Sequence, residues 1–159
     1  MKTKYGVAIL LALIIAPFAA VARAFAPAGV DAMNVQGSHD GAITRTAEGA
    51  LAAHLLVANG TTAGTQVKVC TAALRPLGTV FDGVGDTANV VVELLTVGPT
   101  KLVIASKAIA AGVRVYATAA GQVTDAVVTG AYLVGESLTA AAAAGDEFEI
   151  MPLSPVINP

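Results

Sequence analysis

The 159-residue sequence has no tryptophan, one cysteine and few charged side chains, and each shortage excludes something. With Cys70 alone the chain cannot form an internal disulfide, and its position at the end of the strand-like run VKVC predicts a buried, inert thiol. Aromatic residues make up only 4%, so the core must be built from Ala, Val and Leu in many short elements. A net charge of −2 gives no electrostatic basis for binding nucleic acid or an anionic membrane surface.

Catalytic sequence signatures are also missing. There is no Walker A sequence and no G-x-S-x-G, and none of the four serines lies in a nucleophile motif. The segment GVGDTA at 83–88 formally matches a dinucleotide-binding G-x-G-x-x-A, which needs a following helix to meet the pyrophosphate. The β-branched run at 90–92 follows instead, so the segment predicts a turn.

The histidines and carboxylates show no ligand or acid–base spacing. His39 and Asp40 predict a solvated pair in an irregular segment, and His54 predicts a surface residue at a turn. Two separated histidines without a spaced partner make no metal site. Glu147 and Glu149 alternate along one strand, as solvent-facing carboxylates do. We therefore expect no enzyme, no metal and no cofactor.

Residues 1–22 resemble a secretory signal peptide. Lys2 and Lys4 precede an uncharged run over 5–22, and Ala20-Val21-Ala22 fits the A-x-A rule for cleavage. Export is the first interpretation. A retained membrane anchor is the second, although Pro17 and the small residues after it favour cleavage. A translation start downstream of Met1 is the third.

The rest of the chain predicts an all-β domain, a compact β-barrel or β-sandwich. Residues 23–41 mix Pro, Gly, Asn and Asp without a period and predict an irregular N-terminal arm. Residues 42–153 form the β domain and 154–159 a C-terminal tail. Short apolar runs bounded by turn residues predict its strands: AITRT, HLLVA, QVKVC, LGTVF, NVVVELLTV, KLVIAS, VRVYAT, QVTDAVV, AYLVGESL and EFEIMPL.

Two of these segments carry further expectations. The run NVVVELL is continuously apolar and predicts an inner strand. The alanine-rich stretch at 137–147 has high helix propensity, and one or two helical turns are the most it allows before Gly145.

An eight-residue phrase is nearly duplicated, as ALAAHLLV at 50–57 and AIAAGVRV at 108–115, with His54 in the place of Gly112. Two further landmarks follow each copy in the same order: Leu77-Gly78 and Gly85-Asp86 in one, Val134-Gly135 and Gly145-Asp146 in the other. The pattern predicts two similar β units that pack on each other as one domain.

The repeated landmarks resemble the small capsid cement, or decoration, proteins of tailed phages and prophages. The resemblance rests on LGTVFDGVGDTANVVVELL, AIAAGVRVYATAAGQV and GAYLVGESLTAAAAAGDEFEIMPL, and it covers 42–153. It implies a non-catalytic homo-trimer on the outer surface of the virion head that binds the major capsid protein and stabilises contacts between capsomers. Two features depart from it: His54 replaces an expected Gly, and residues 1–22 are atypical of a virion protein.

The arm is where we expect the capsid contact. It contains four apolar side chains that it cannot bury within itself: Phe25, Val30, Met33 and Val35. The alternative function is an exported bacterial β-domain of the surface or periplasm, structural or adhesive, which rests on residues 1–22 alone. In either case no membrane contact is expected once residues 1–22 are removed.

Overall fold

Ten strands joined by turns make up the part of the chain that the computed structural model describes, residues 41–159. They are β1 (Ala42–Ala47), β2 (Leu56–Asn59), β3 (Gln66–Val69), β4 (Gly78–Val80), β5 (Asn89–Leu94), β6 (Lys101–Ile104), β7 (Arg114–Ala117), β8 (Val123–Thr124), β9 (Tyr132–Ser137) and β10 (Glu147–Ile157). Each run that the sequence predicts as a strand overlaps one of them, so the all-β prediction is confirmed. Between Gly41 and Pro159 there is no helix, and hence none that could cross a membrane.

The first five strands close into a barrel in the order β1-β3-β2-β4-β5. β1 closes it by pairing antiparallel with β5, with Ile43 opposite Val92, and parallel with β3, with Ala47 opposite Val67. Valines of β3, β4 and β5 fill its interior together with Leu51. Small branched side chains suit so narrow a barrel, which explains the lack of aromatic residues in it.

The last five strands form a curled sheet in the order β6-β10-β9-β7-β8. Its two edges meet at a single parallel bridge between Ala105 and Val123. This bridge makes β6 a neighbour of β8. If β6 is taken as the counterpart of β1, β7 of β2, and so on to β10 and β5, every strand then has the same neighbours in both halves. The two halves therefore share one strand arrangement.

Backbone pairings in the two halves correspond residue by residue. Val57 lies opposite Gly78 in the first half, and Val115 lies opposite Gly135 in the second. The same holds for the parallel pairs Ala47–Val67 and Ala105–Val123 and for the isolated antiparallel bridges Leu51–Val84 and Ile109–Ala141. The first two landmarks of the sequence thus occupy equivalent positions.

The third landmark, the Gly-Asp pair, does not occupy equivalent positions in the two halves. The predicted alignment of Gly85 with Gly145 is wrong by two residues. The amide of Thr87 donates to Ala47 O at 3.0 Å, whereas the amide that donates to the equivalent Ala105 O belongs to Gly145, at 2.8 Å. Gly145 is therefore the counterpart of Thr87 and not of Gly85. Thr87 and Gly145 have φ angles of 61° and 90°, so both occupy the left-handed region.

The two halves are joined by a shared core. β2 is buried on both faces, because Val57 points into the barrel while Leu56 and Ala58 belong to the cluster that fills the second sheet. Backbone bonds reinforce the junction: Leu56 N donates to Gly121 O at 2.7 Å, and Gly121 N to Cys70 O at 3.0 Å. Residues 41–159 accordingly belong to one compact unit.

Two finer expectations are corrected, and the limit of at most two helical turns in the alanine-rich stretch is confirmed. NVVVELL is not an inner strand buried on both sides, since Val90 and Val92 face the barrel interior while Val91 is exposed. The alanine-rich stretch forms a loop without helix, held by the Asp146 carboxylate, which accepts from two amides of its own turn. The predicted tail at 154–159 is largely strand, because β10 continues to Ile157.

Between Gly41 and Pro159 two non-glycine residues have a left-handed backbone, His54 and Thr87, and they occupy positions that are Gly112 and Gly145 in the second half. We expect His54→Gly and Thr87→Gly each to raise the free energy of unfolding by about 1 kcal/mol, because glycine adopts this conformation without a Cβ penalty. Urea denaturation measures the change. In the reverse control, Gly112→Ala and Gly145→Ala, where a Cβ meets no atom within 4 Å, should lower stability by a similar amount. A destabilised Thr87→Gly variant would show that the backbone there carries no such strain.

Candidate docking surface

The side chains predicted to contact a capsid lie outside the described residues. Phe25, Val30, Met33 and Val35 precede Gly41, as does His39, and so does the signal-like segment. Their predicted roles stay predictions. The described structure does show where the arm joins the domain: Leu94 N donates to Gly41 O at 2.7 Å, and Gly41 packs against Val97.

Titratable side chains do not converge on a site within the described range. No group of three or more His, Cys, Asp or Glu there could hold a metal ion. His54 is 21% exposed, and its Nε2 lies 3.9 Å from a Glu147 oxygen across the two halves. The prediction of a turn position for His54 is confirmed, with its φ of 59° as the reason glycine replaces it in the other half.

Cys70 is the only cysteine and lies in the shared core. Burial raises the pKa of its thiol to about 12, and the Sγ lies 3.3 Å from each of two carbonyl oxygens, of Thr71 and Leu74. A neutral thiol is a poor nucleophile, so the prediction of a buried, inert cysteine is confirmed.

The segment that formally matches the dinucleotide fingerprint is a turn between β4 and β5. Val84 bridges to Leu51, and the Asp86 carboxylate accepts from Gly49 N at 2.8 Å. The residues after it enter β5 directly, so no helix N-terminus faces the glycines. The turn prediction is confirmed, and the segment offers no phosphate site.

A neighbouring turn is fixed by Glu48. Its carboxylate accepts from Thr61 N at 2.5 Å and from Thr61 Oγ1 at 2.7 Å, and these bonds lower its pKa. The bonds tie the loop after β1 to the hairpin loop between β2 and β3. They account for the carboxylate structurally and leave it no catalytic partner.

One cleft of about 240 Å³ opens where the two halves meet. It is lined by Asn59, Arg75, Pro76, Leu77, Leu94, Thr96 and Pro155. Arg75 is the only ionisable lining residue, so the cleft has no acid–base pair.

Four exposed large apolar side chains of the described residues lie near the end of β10 or in the loop before β9. Val127 and Val128, in the loop before β9, are 68% and 46% exposed, and Val156 and Ile157 are 59% and 53% exposed. The Asn158 side chain donates to Val128 O at 3.2 Å and brings the two segments together. We call these four side chains the C-terminal patch. Sequence reasoning missed it, because it had assigned one segment to a strand and the other to a tail.

Comparison with known proteins gives one informative result. No family model and no curated protein matches the sequence. Among solved structures, the fold is similar to the crystal structure of the head fiber gp8.5 N base in bacteriophage phi29, with a TM-score of 0.59 and 15% sequence identity. The alignment covers 74% of this chain and 98% of that one. The two proteins share a fold. At this identity the likeness says nothing by itself about what the present chain binds.

Proposed function

We propose that the protein is a non-catalytic structural component of a bacteriophage head. The observation that carries the proposal is the fold: the alignment covers 98% of the phi29 head fiber base and 74% of this chain. The sequence landmarks, which resemble those of phage cement proteins, also point to a phage head. This resemblance rests on residue types and not on strand arrangement. Two separate features thus support one role.

Within that role we propose a cement or decoration protein. It would bind the major capsid protein on the outer surface of the assembled head, as a homo-trimer, and stabilise contacts between capsomers. A barrel of short strands that shares a core with a second β unit suits this task, because its described residues present exposed apolar side chains on a packed domain. We also propose that the two halves arose by duplication of one β unit, which their matching pairings support.

The arm over 23–41 is the proposed capsid contact, through Phe25, Val30, Met33 and Val35. Several weakly binding arms on one lattice gain avidity from their high effective concentration, so each can contribute little alone. The exported β-domain of the surface or periplasm is the second candidate, favoured by the cationic start, apolar run and A-x-A site of residues 1–22.

The test of the arm is co-sedimentation with undecorated capsids. The truncated protein should begin at Gly41, whose carbonyl oxygen belongs to the barrel through Leu94. A second variant keeps the length of the arm and changes its four apolar residues to Ser. We expect both variants to remain folded by circular dichroism and to lose capsid binding, while the protein that retains residues 23–40 saturates the lattice. Wild-type occupancy by either variant would refute the contact.

A further inference from the structure

The hairpin loop between β2 and β3 begins with the only Asn-Gly pair of the sequence. Asn59 is the last residue of β2, its side chain is exposed, and Gly60 follows it. In such a pair the glycine nitrogen can form a bond to Cγ of the asparagine, because no Cβ on the next residue blocks the approach. The side-chain NH2 then leaves as ammonia with the proton of the glycine amide, and water opens the succinimide ring to aspartate or isoaspartate.

The folded hairpin holds both reacting groups back. Gly60 N donates to Gln66 O at 2.8 Å, and Asn59 pairs antiparallel with Val67. The ring can close only when the Gly60 nitrogen has left Gln66 O and Asn59 has left its strand conformation. The reaction in the native protein therefore requires local opening of the hairpin loop.

Glu48 opposes that opening from the end of β1. Its carboxylate accepts from both the amide and the hydroxyl of Thr61, the residue after Gly60. It also lies directly against the glycine, since a Cβ on Gly60 would lie 2.6 Å from Glu48 Oε2. Hydrogen bonds to an ionised carboxylate are stronger than bonds between neutral groups, so their loss should raise the population of the open loop.

We propose that Asn59 is a deamidation site and that Glu48 sets its rate by holding the hairpin loop closed. The product changes the cleft between the two halves, because Asn59 and Arg75 both line it. Aspartate places a carboxylate in a cleft whose only ionisable lining residue is Arg75. Isoaspartate adds one carbon to the backbone and disrupts the pairing with Val67. This site goes beyond the proposed function and does not depend on it.

The test is the conversion rate of Asn59 in the folded, full-length protein at mildly alkaline pH. Mass spectrometry of proteolytic peptides measures the replacement of the amide by a carboxyl group, and chromatography separates aspartate from isoaspartate. Asn89 is the internal control, since it is also exposed but is followed by the β-branched Val90. We expect Asn59 to convert at least about tenfold faster than Asn89, and more slowly than it does in the urea-unfolded protein.

Three variants test the role of Glu48. Glu48→Ala removes both bonds to Thr61 and should raise the rate at Asn59 about tenfold. Thr61→Val removes only the hydroxyl bond and should raise it less. Asp146→Ala is the matched control and should leave the rate unchanged, because this carboxylate also accepts from two amides of a turn but lies in the other half.

The proposed deamidation site is wrong if Asn59 in the unchanged protein converts no faster than Asn89. The role of Glu48 is wrong if Glu48→Ala leaves the rate at Asn59 unchanged, or if Asp146→Ala raises it equally. Protection by the hairpin is wrong if folded and unfolded proteins convert at the same rate. Circular dichroism confirms that each variant is folded, and Thr61→Val supplies the comparison should Glu48→Ala fail to fold.

Discussion

Gly78→Ala and Gly135→Ala should each lower the free energy of unfolding by about 3 kcal/mol or more, or prevent folding. A Cβ at Gly135 would lie 2.5 Å from Met151 O, and one at Gly78 would overlap Glu93 O even more closely. These oxygens belong to the paired strands β10 and β5, so they cannot move away without breaking the sheet.

The control for this prediction is Gly85→Ala. Nothing lies within 4 Å of a Cβ at Gly85, and its φ is not in the left-handed region, so stability should change by less than about 0.5 kcal/mol. Urea denaturation of the three variants decides the matter. A Gly78→Ala or Gly135→Ala protein as stable as Gly85→Ala would show that the sheets accommodate a side chain at this step.

The second large effect concerns a buried lysine at the junction of the two halves. Lys101 is buried at the start of β6, and its Nζ lies 3.9 Å from the half-exposed carboxylate of Glu93 on β5. We expect Glu93→Gln to cost about 2 to 3 kcal/mol, since it leaves a buried ammonium without its counter-charge. Lys101→Met removes the charge and keeps the apolar stem, so its cost should stay below about 1 kcal/mol.

The decisive comparison is which of the two substitutions, Glu93→Gln or Lys101→Met, lowers the free energy of unfolding more. Lys107→Met is the comparison with an exposed lysine, because the Lys107 side chain is 52% exposed and its Nζ lies 2.6 Å from Asp125 Oδ1, and it should change stability by less than about 1 kcal/mol. Thermal or urea unfolding of all three variants gives the comparison. A larger loss for Lys101→Met than for Glu93→Gln would mean that the ion pair stabilises the junction beyond the cost of burying it.

The sequence predicted the strands well because turn residues punctuate it so often. All ten apolar runs overlap a strand, and the A-x-A-A and apolar-Gly landmarks fall at equivalent pairings in the two halves. The Gly-Asp landmark failed because Thr87 adopts a left-handed backbone that the sequence gives no reason to expect of threonine. A dipeptide match therefore aligned Gly85 with Gly145 and missed the true counterpart.

Other features depended on long-range pairing, which local pattern does not encode. The closure of β1 on both β3 and β5, and the exposure of Val91 on an apolar run, follow from which strands become neighbours. The C-terminal patch was missed for the same reason, since it forms only when Asn158 is held beside Val128. The sequence carried no distinguishing signal for it, since residues 55–67 and 115–124 also lack Asp, Glu, Lys, Arg and His.

The proposed role as a phage-head protein is tested most directly by purifying intact particles from a host in which the encoding phage or prophage is induced. Mass spectrometry of the particles should find the protein in a fixed ratio to the major capsid protein, and its N-terminal residue shows whether residues 1–22 are removed, retained or never translated. Full heads that contain the protein are the predicted result. Particles without it, together with its recovery from the periplasmic or surface fraction of the cells, would contradict the proposed function and favour the exported β-domain.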